Sequence, residues 1–201
     1  MSSSTPDELT ISRGFPDALR ADVARLYDAA FGAKLALAIP DAASRVRVLA
    51  EGFDPSHGFV ALRGTHVLGI AGFATRRGAL TSGIDLALLR TRLGTPAAIR
   101  ALAVLALFHR GRQEGELLMD GLAVSPMARG AGIGTRLLER LTQFAATEGF
   151  RTIRLDVIDT NERARRLYER LGFVPTRTSQ FAYLRWLVGF SAATTLEYRV
   201  H

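Results

Sequence analysis

The spacing of apolar positions changes along the chain, and each change predicts an element. Leu9 to Arg13 reads as a first strand. Pro16 then suits the first turn of a helix, where its missing N–H costs nothing. Leu19, Val23, Leu26, Tyr27 and Ala30 mark that helix's inner face, with Gly32 as its end. A second helix is expected from about Asp41 to Glu51, with Val46, Leu49 and Ala50 inward. Phe59–Arg63 and Val67–Ala74 are short apolar runs joined by Gly64-Thr65, a hairpin pattern. Gly69 and Gly72 interrupt the second run and imply a bulge or close packing. Leu117–Val124 is a further apolar run, followed by a Pro-containing turn and a loop with alternating glycines. Leu137, Leu138, Leu141 and Ala145 then recur at helical spacing. Ile153, Leu155 and Val157 alternate with Thr152, Arg154 and Asp156, which is a strand. Asp159 and Glu162 are spaced as a capping box. Ala164, Leu167, Tyr168 and Leu171 form one helical face, stopped by Gly172 with Phe173 folding back. Pro175–Thr178 and Ala192–Val200 read as strands around an apolar stretch, Phe181–Gly189, that holds Trp186.

The segment 84–110 stands apart. It offers two helices broken at Gly94-Thr95-Pro96, the second (Pro96 to His109) apolar almost all round and interrupted by Arg100. It is too short to span a bilayer. The expected arrangement is a buried helix packed on the domain; a substrate lid or a homodimer face would also cover its apolar surface.

Composition narrows the class. The 201 residues are 48% hydrophobic and 22% charged, as expected of one globular domain, with residues 1–8 a loose tail. Without cysteine there are no disulfides, no thiolate metal sites and no Cys nucleophile, and the four His lack metal-ligand spacing. The start is polar and lacks the apolar core of a signal peptide, so a cytoplasmic, non-membrane protein is expected. The net charge of +7 is almost wholly arginine, but no dense basic run with interleaved aromatics points to nucleic acid.

The chemistry concentrates at Glu116–Arg136, ELLMDGLAVSPMARGAGIGTR, a strand, Gly-rich loop and helix. Free N–H groups at the helix start favour an anion, and Arg129 adds a positive charge. No Lys follows the glycines, which excludes a P-loop. Thr135 stands where the dinucleotide fingerprint needs its third glycine. Arg129-x-x-Gly132-x-Gly134 after an apolar strand resembles motif A of the GNAT superfamily of acyl-CoA-dependent N-acyltransferases. The string N-x-x-A-x-x-L-Y-x-x-L-G-F from Asn161 to Phe173 is similar to that family's motif B.

The resemblance implies an α/β fold, a mixed and mostly antiparallel twisted sheet flanked by helices, with segment 84–110 as an insertion. It implies acetyl-CoA as cofactor, its pyrophosphate held by the amides of Arg129, Gly130, Ala131, Gly132, Ile133, Gly134 and Thr135. In the family the preceding strand splays at a bulge, so the amides of Leu122, Ala123 and Val124 face the pantetheine arm and the carbonyl. Asn161 matches a cofactor-contacting position, and it also suits a helix cap. The first two helices form part of the acceptor wall, and a terminal hairpin closes that site.

Acyl transfer from a thioester to an amine needs a neutral amine, a stabilised oxyanion and a protonated leaving thiolate. Tyr168 is the candidate acid. Asp120 interrupts an apolar strand on the side of Leu118, Leu122 and Val124, and burial would tune it as base or amine-binding group. Glu116 is the fallback, read as a solvated charge. The implied function is acetyl-CoA-dependent N-acetyl transfer to a small-molecule or peptide amine by direct attack. The alternatives are a non-catalytic acyl-CoA-binding regulator and transfer to a protein or RNA-linked amine.

Overall fold

The computed structural model describes residues 8–106, 111, 113–180 and 191–200. The expectations for the tail, for the end of the second insertion helix and for Phe181–Gly189 lie outside these residues. Chain order is β1 (Leu9–Arg13), α1 (Arg20–Leu35), α2 (Ala42–Gly52), β2 (Gly58–Arg63), β3 (His66–Thr75), a short β4 (Gly78–Ala79), α3 (Leu86–Leu93), α4 (Thr95–Ala106), β5 (Glu116–Val124), α5 (Ile133–Thr147), β6 (Thr152–Ile158), α6 (Glu162–Arg170), β7 (Val174–Gln180) and β8 (Ala192–Arg199). They form one sheet in the order β1-β2-β3-β5-β6-β8-β7, with β4 paired to β3. All pairs are antiparallel except β5 with β6, which α5 joins as a crossover.

Two apolar layers clamp the sheet. On one face α5 and α6 bury Ile133, Leu137, Leu138, Leu141, Ala145 and Tyr168 against Leu117, Met119, Ile153, Leu155 and Val157. On the other, α1 and α2 bury Val23, Ala24, Tyr27 and Leu49 against Val60, Ile70 and Ala123. The α5 face matches the predicted spacing and adds Ile133.

Gly32 does not end α1. The helix runs three residues further, and Gly32 faces Asp28, whose carboxylate is held by the buried Arg45 at 2.7 Å. Arg45 also donates to the Ile39 and Pro40 carbonyls, tying the α1–α2 connection to α2.

The insertion forms two helices broken at Gly94, as expected. Among the described residues, one face of α4 is covered, through Ala98 and Ala101 against Ala38, Ile39, Val48 and Leu89. Ile99 and Leu102 are exposed, so α4 is amphipathic in place rather than fully buried.

Candidate active site

The site grows from an irregularity in β5. Gly72 pairs with Gly121, but the next pair is Phe73 with Met119, so Asp120 is the extra residue of a β-bulge. A bulge shifts the in-out alternation. Leu117 and Met119 face α5 before it, and Leu122 and Val124 face the same layer after it. Ala123 then belongs to the α1 layer, and the Gly121 backbone lies against the rings of Tyr27 and Phe31.

Two expectations for Asp120 are thereby corrected. It shares the side of Leu118 but not that of Leu122 and Val124, and it is exposed rather than buried. The cause is the bulge, which turns Asp120 out on the α1 side of the sheet. There the Thr81 hydroxyl donates to its Oδ2 at 3.4 Å. Tyr27 lies close enough that burial first, and the Asp120 charge second, hold its phenol well above the ordinary value.

After Leu118, just before the bulge, β5 loses β6 as a neighbour, while β3 stays paired with it as far as Val124. Pairing with β6 covers only Glu116–Leu118 against Thr152–Arg154. The Ser125 N–H donates to the Leu68 carbonyl at 2.9 Å, on the β3 side. N–H groups alternate in direction along a strand. Ala123 therefore also points to β3, while Leu122 and Val124 aim their N–H groups into the gap on the β6 side. Of the three amides expected to line that gap, Leu122 and Val124 face it and Ala123 does not.

The start of α5 closes the end of the gap. Gly130 and Gly132 have φ of +88° and +74°, and a Cβ on either would meet nothing within 4 Å. The chain there follows a path that L side chains resist, beside open space. Gly132 caps α5 without a side-chain hydrogen bond, so the N–H groups of Ile133, Gly134 and Thr135 point out of the helix without an intrahelical carbonyl. Gly134 works differently: a Cβ on it would lie 3.1 Å from Leu167 and 3.8 Å from Leu122 and Val124. Its lack of a side chain lets α5, α6 and the end of β5 converge. Arg129, Gly130, Ala131 and Gly132 are exposed along this rim.

Asn161 is the N-cap of α6, its Oδ1 accepting from the Ala164 N–H at 3.1 Å. The expected capping box is not formed. Asp159 instead accepts from the Ser191 hydroxyl at 2.6 Å, pinning the start of β8, and that bond holds its carboxyl below the usual range. At the other end of α6 the Phe173 N–H donates to the Tyr168 carbonyl and the Gly172 N–H to Glu169, the predicted Gly-terminated cap. The Tyr168 ring packs on Phe173 with centroids 5.9 Å apart. Burial pushes its phenol well above the ordinary value, so it keeps its proton at neutral pH. Arg165 and Arg166 pair with Glu169 and Glu162.

Glu116 also departs from expectation. It is buried rather than solvated, with Oε1 3.1 Å from the Arg154 Nε. Neither atom has a hydrogen bond of good geometry, so this is a charge contact rather than a directed bond. Burial raises the Glu116 carboxyl, and the Arg154 charge pulls it partly back.

Sequence reasoning missed Thr81, Phe31 and the placement of Tyr27 beside Asp120. Only the polar alternation of β6 hinted that the sheet face around Arg154 and Asp156 is polar. Cavities of about 220 and 330 Å³ lie elsewhere, one between α2 and the insertion beside Ser44, Arg92 and Arg100, the other beside Leu26, His66 and Ser125.

The family model of the acetyltransferase (GNAT) family matches residues 22–173, which include the bulge, the glycine loop and α6. The chain belongs to the GNAT family. A thialysine N-epsilon-acetyltransferase from Bos taurus is 36% identical over 56 residues, covering 28% of this chain and 33% of the relative. The match thus spans about a third of that curated relative's length. A GCN5-related N-acetyltransferase from Kribbella flavida superposes with a TM-score of 0.63 over 97% of this chain and 99% of its own, at 20% identity. The Salmonella typhimurium protein yncA, solved with its cofactor acetyl-CoA, superposes with a TM-score of 0.59 over 96% and 94%, at 19% identity. This GNAT chain therefore has the family's open sheet, with the β5–β6 splay between its two helical layers. Among the described residues, no helix is long and apolar enough to cross a membrane.

Proposed function

We propose that this GNAT chain transfers an acetyl group from acetyl-CoA to a primary amine, by direct attack of the amine within a ternary complex. The observation that carries this reading is the coincidence of two unfilled backbone edges. β5 loses β6 at Leu118, and the uncapped start of α5 opens onto the same gap. Among the described residues, nothing lies within 4 Å of a Cβ placed on Gly130 or Gly132, and outward-pointing backbone N–H groups beside that space suit an extended arm ending in phosphates.

The residues present fit that cofactor. The amides of Ile133, Gly134 and Thr135, with Arg129 at the rim, would hold the pyrophosphate. Leu122 and Val124 would offer N–H groups to the arm and to the carbonyl oxygen, while Asn161 and Leu167 border the gap from α6. Acetyl-CoA supplies the thioester carbon as acetyl donor and a thiolate as leaving group. Asp120 holds the incoming ammonium and takes its proton, directly or through water, so that the free amine can attack. The Leu122 and Val124 amides are placed to stabilise negative charge on the carbonyl oxygen. As the C–N bond forms and the C–S bond breaks, Tyr168 donates its hydroxyl proton to the sulfur and recovers one from solvent. The products are the acetamide and the free thiol, with one proton released.

The test is amine-dependent release of free thiol from acetyl-CoA across a panel of small amines and peptide N-termini, with the acetylated product identified by mass. Thiol release matched by acetylated amine is expected. Binding of acetyl-CoA without amine-dependent release would favour a regulator instead.

A further inference from the structure

The insertion is seated on the domain partly through small side chains: Ala98 and Ala101 of α4 belong to the cluster of Ala38, Ile39, Val48 and Leu89. Beside them, between α4 and the start of α2, lies the cavity of about 220 Å³. Sites for drug-sized ligands run to about 300–1,000 Å³, so a cavity of this size suits a small metabolite. It shares no lining residue with the bulge in β5 or with the glycine loop.

Its walls carry opposite charges. On the α4 side, Arg100 donates to the Ala38 carbonyl at 3.0 Å and to the Leu37 carbonyl at 3.4 Å. Both acceptors are neutral, and among the described residues Arg100 has no carboxylate partner, so its positive charge is uncompensated at the cavity. Arg92, on the same side, is already paired with Glu51 at 2.8 Å. On the α2 side stands Asp41, the N-cap of that helix, whose Oδ2 accepts from the Ser44 N–H at 2.7 Å. Hydrogen bonds from Ser44 first, and the charges of Arg47 and Arg45 after them, hold its carboxyl below the ordinary range, so it is ionised at neutral pH. A carboxylate offers about four lone-pair sites, and the cap leaves room for a further donor. The floor between the two charges is apolar, formed by Ile39, Leu93 and Ala97.

A simple anion would meet repulsion from Asp41, and a simple cation would meet repulsion from Arg100. A small molecule that carries both charges meets a partner on each wall. We propose that this cavity binds a free α-amino acid with an aliphatic side chain, its carboxylate on Arg100, its ammonium on Asp41 and its side chain on Ile39, Leu93 and Ala97. The bound zwitterion ties the start of α2 to α4 and so holds the insertion on the domain.

The test titrates L-leucine into the ¹⁵N-labelled full chain, following the amides of Ser44, Ala97 and Arg100. Two analogues are titrated alongside: isocaproate, which lacks the amine, and isoamylamine, which lacks the carboxylate. Saturable shifts with leucine are expected, with Kd in about the millimolar range and either analogue weaker by about 10-fold or more. Arg100→Gln and Asp41→Asn should each weaken leucine binding by about 10-fold or more. Asn keeps the N-cap and Gln keeps much of the stem; melts without ligand check that both variants fold, and the analogue comparison stands on the wild type alone. Leucine at about ten times its Kd should also raise the melting temperature of the wild type more than that of either variant. Asp120→Asn should bind leucine like the wild type. No shift at up to about 50 mM leucine, equal binding of either analogue, or cavity variants that bind leucine like the wild type would overturn the site. Loss of leucine binding in Asp120→Asn would place the amino acid at the bulge and overturn it as well.

Discussion

Gly132 separates charge from shape at the start of α5. Its φ of +74° lies in a region that costs most L residues about 1–2 kcal/mol, with Asn and Asp paying less. Its missing side chain would enter open space, so Gly132→Asp meets no steric clash. An Asp there also faces the free amides of α5 and can act as a helix cap, which offsets part of the strain. Stability should therefore change by no more than about 1 kcal/mol. Cofactor affinity should suffer far more. A carboxylate roughly 5 Å from a phosphate oxyanion repels it by about 3 kcal/mol at an effective dielectric constant near 20. The rim is exposed, so solvent and salt reduce this by about half, leaving roughly 1.5–2 kcal/mol, or about 10- to 30-fold in Kd. Capping of the same amides by Asp would add to the loss. Gly132→Asn has the same size and capping ability without the charge. Calorimetric titration with CoA should rank wild type, Asn and Asp in falling affinity, the Asn–Asp gap narrowing from about 50 to 500 mM salt. If Asp binds CoA like the wild type, or loses no more than Asn at low salt, the anion-site assignment is wrong.

Tyr168→Phe removes only a hydroxyl from a ring packed on Phe173, so folding and CoA affinity should hold while kcat falls by about 100-fold; an unchanged kcat would remove Tyr168 from the mechanism. Gly121→Ala drives a methyl into the Phe31 ring, costing about 1–3 kcal/mol in urea melts, with KM for the amine raised and KM for acetyl-CoA unmoved. Arg45→Ala strands the half-buried Asp28 charge and should cost about 3 kcal/mol, whereas exchanging Asp28 and Arg45 together for Leu and Met should cost much less. Glu116 binds its proton more tightly in the folded state, chiefly through burial. Its contribution is fully present below the ordinary Glu pKa and is lost as pH rises through the raised value. Melts from pH 4 to 7 should show the wild type losing stability relative to Glu116→Gln, and a constant difference would deny the shift.

Much of this architecture was legible because it is local. The α5 face, the polar alternation of β6, the Gly94 break and the Gly172 cap each follow from residues within a few positions of one another. The glycine loop was legible for the same reason, since φ at Gly130 and Gly132 depends on the chain nearby. Asp120 was misplaced because a bulge is decided between strands: only the pairing of Gly72 with Gly121 reveals that one residue is extra. Gly32 misled because Asp28 and Arg45, 17 residues apart, carry α1 past it. Glu116 looked solvated at a strand's start, yet the parallel pairing to β6 sets Arg154 over it. The acceptor wall was hidden for the most general reason. Thr81, Tyr27, Phe31 and Asp120 come from three distant segments and meet only when the sheet and its two layers assemble.

The freed edge of β5 and the open start of α5 are proposed to hold the acyl donor together. Residue-level amide hydrogen exchange, with and without CoA, tests it most directly. Exchange should slow by about 10-fold or more at Ile133, Gly134 and Thr135, and also at Leu122 and Val124, as these donors gain partners. Ala123, already turned to β3, should not change. Unaltered exchange at α5 and β5 under saturating CoA, or protection that appears only elsewhere, would contradict it.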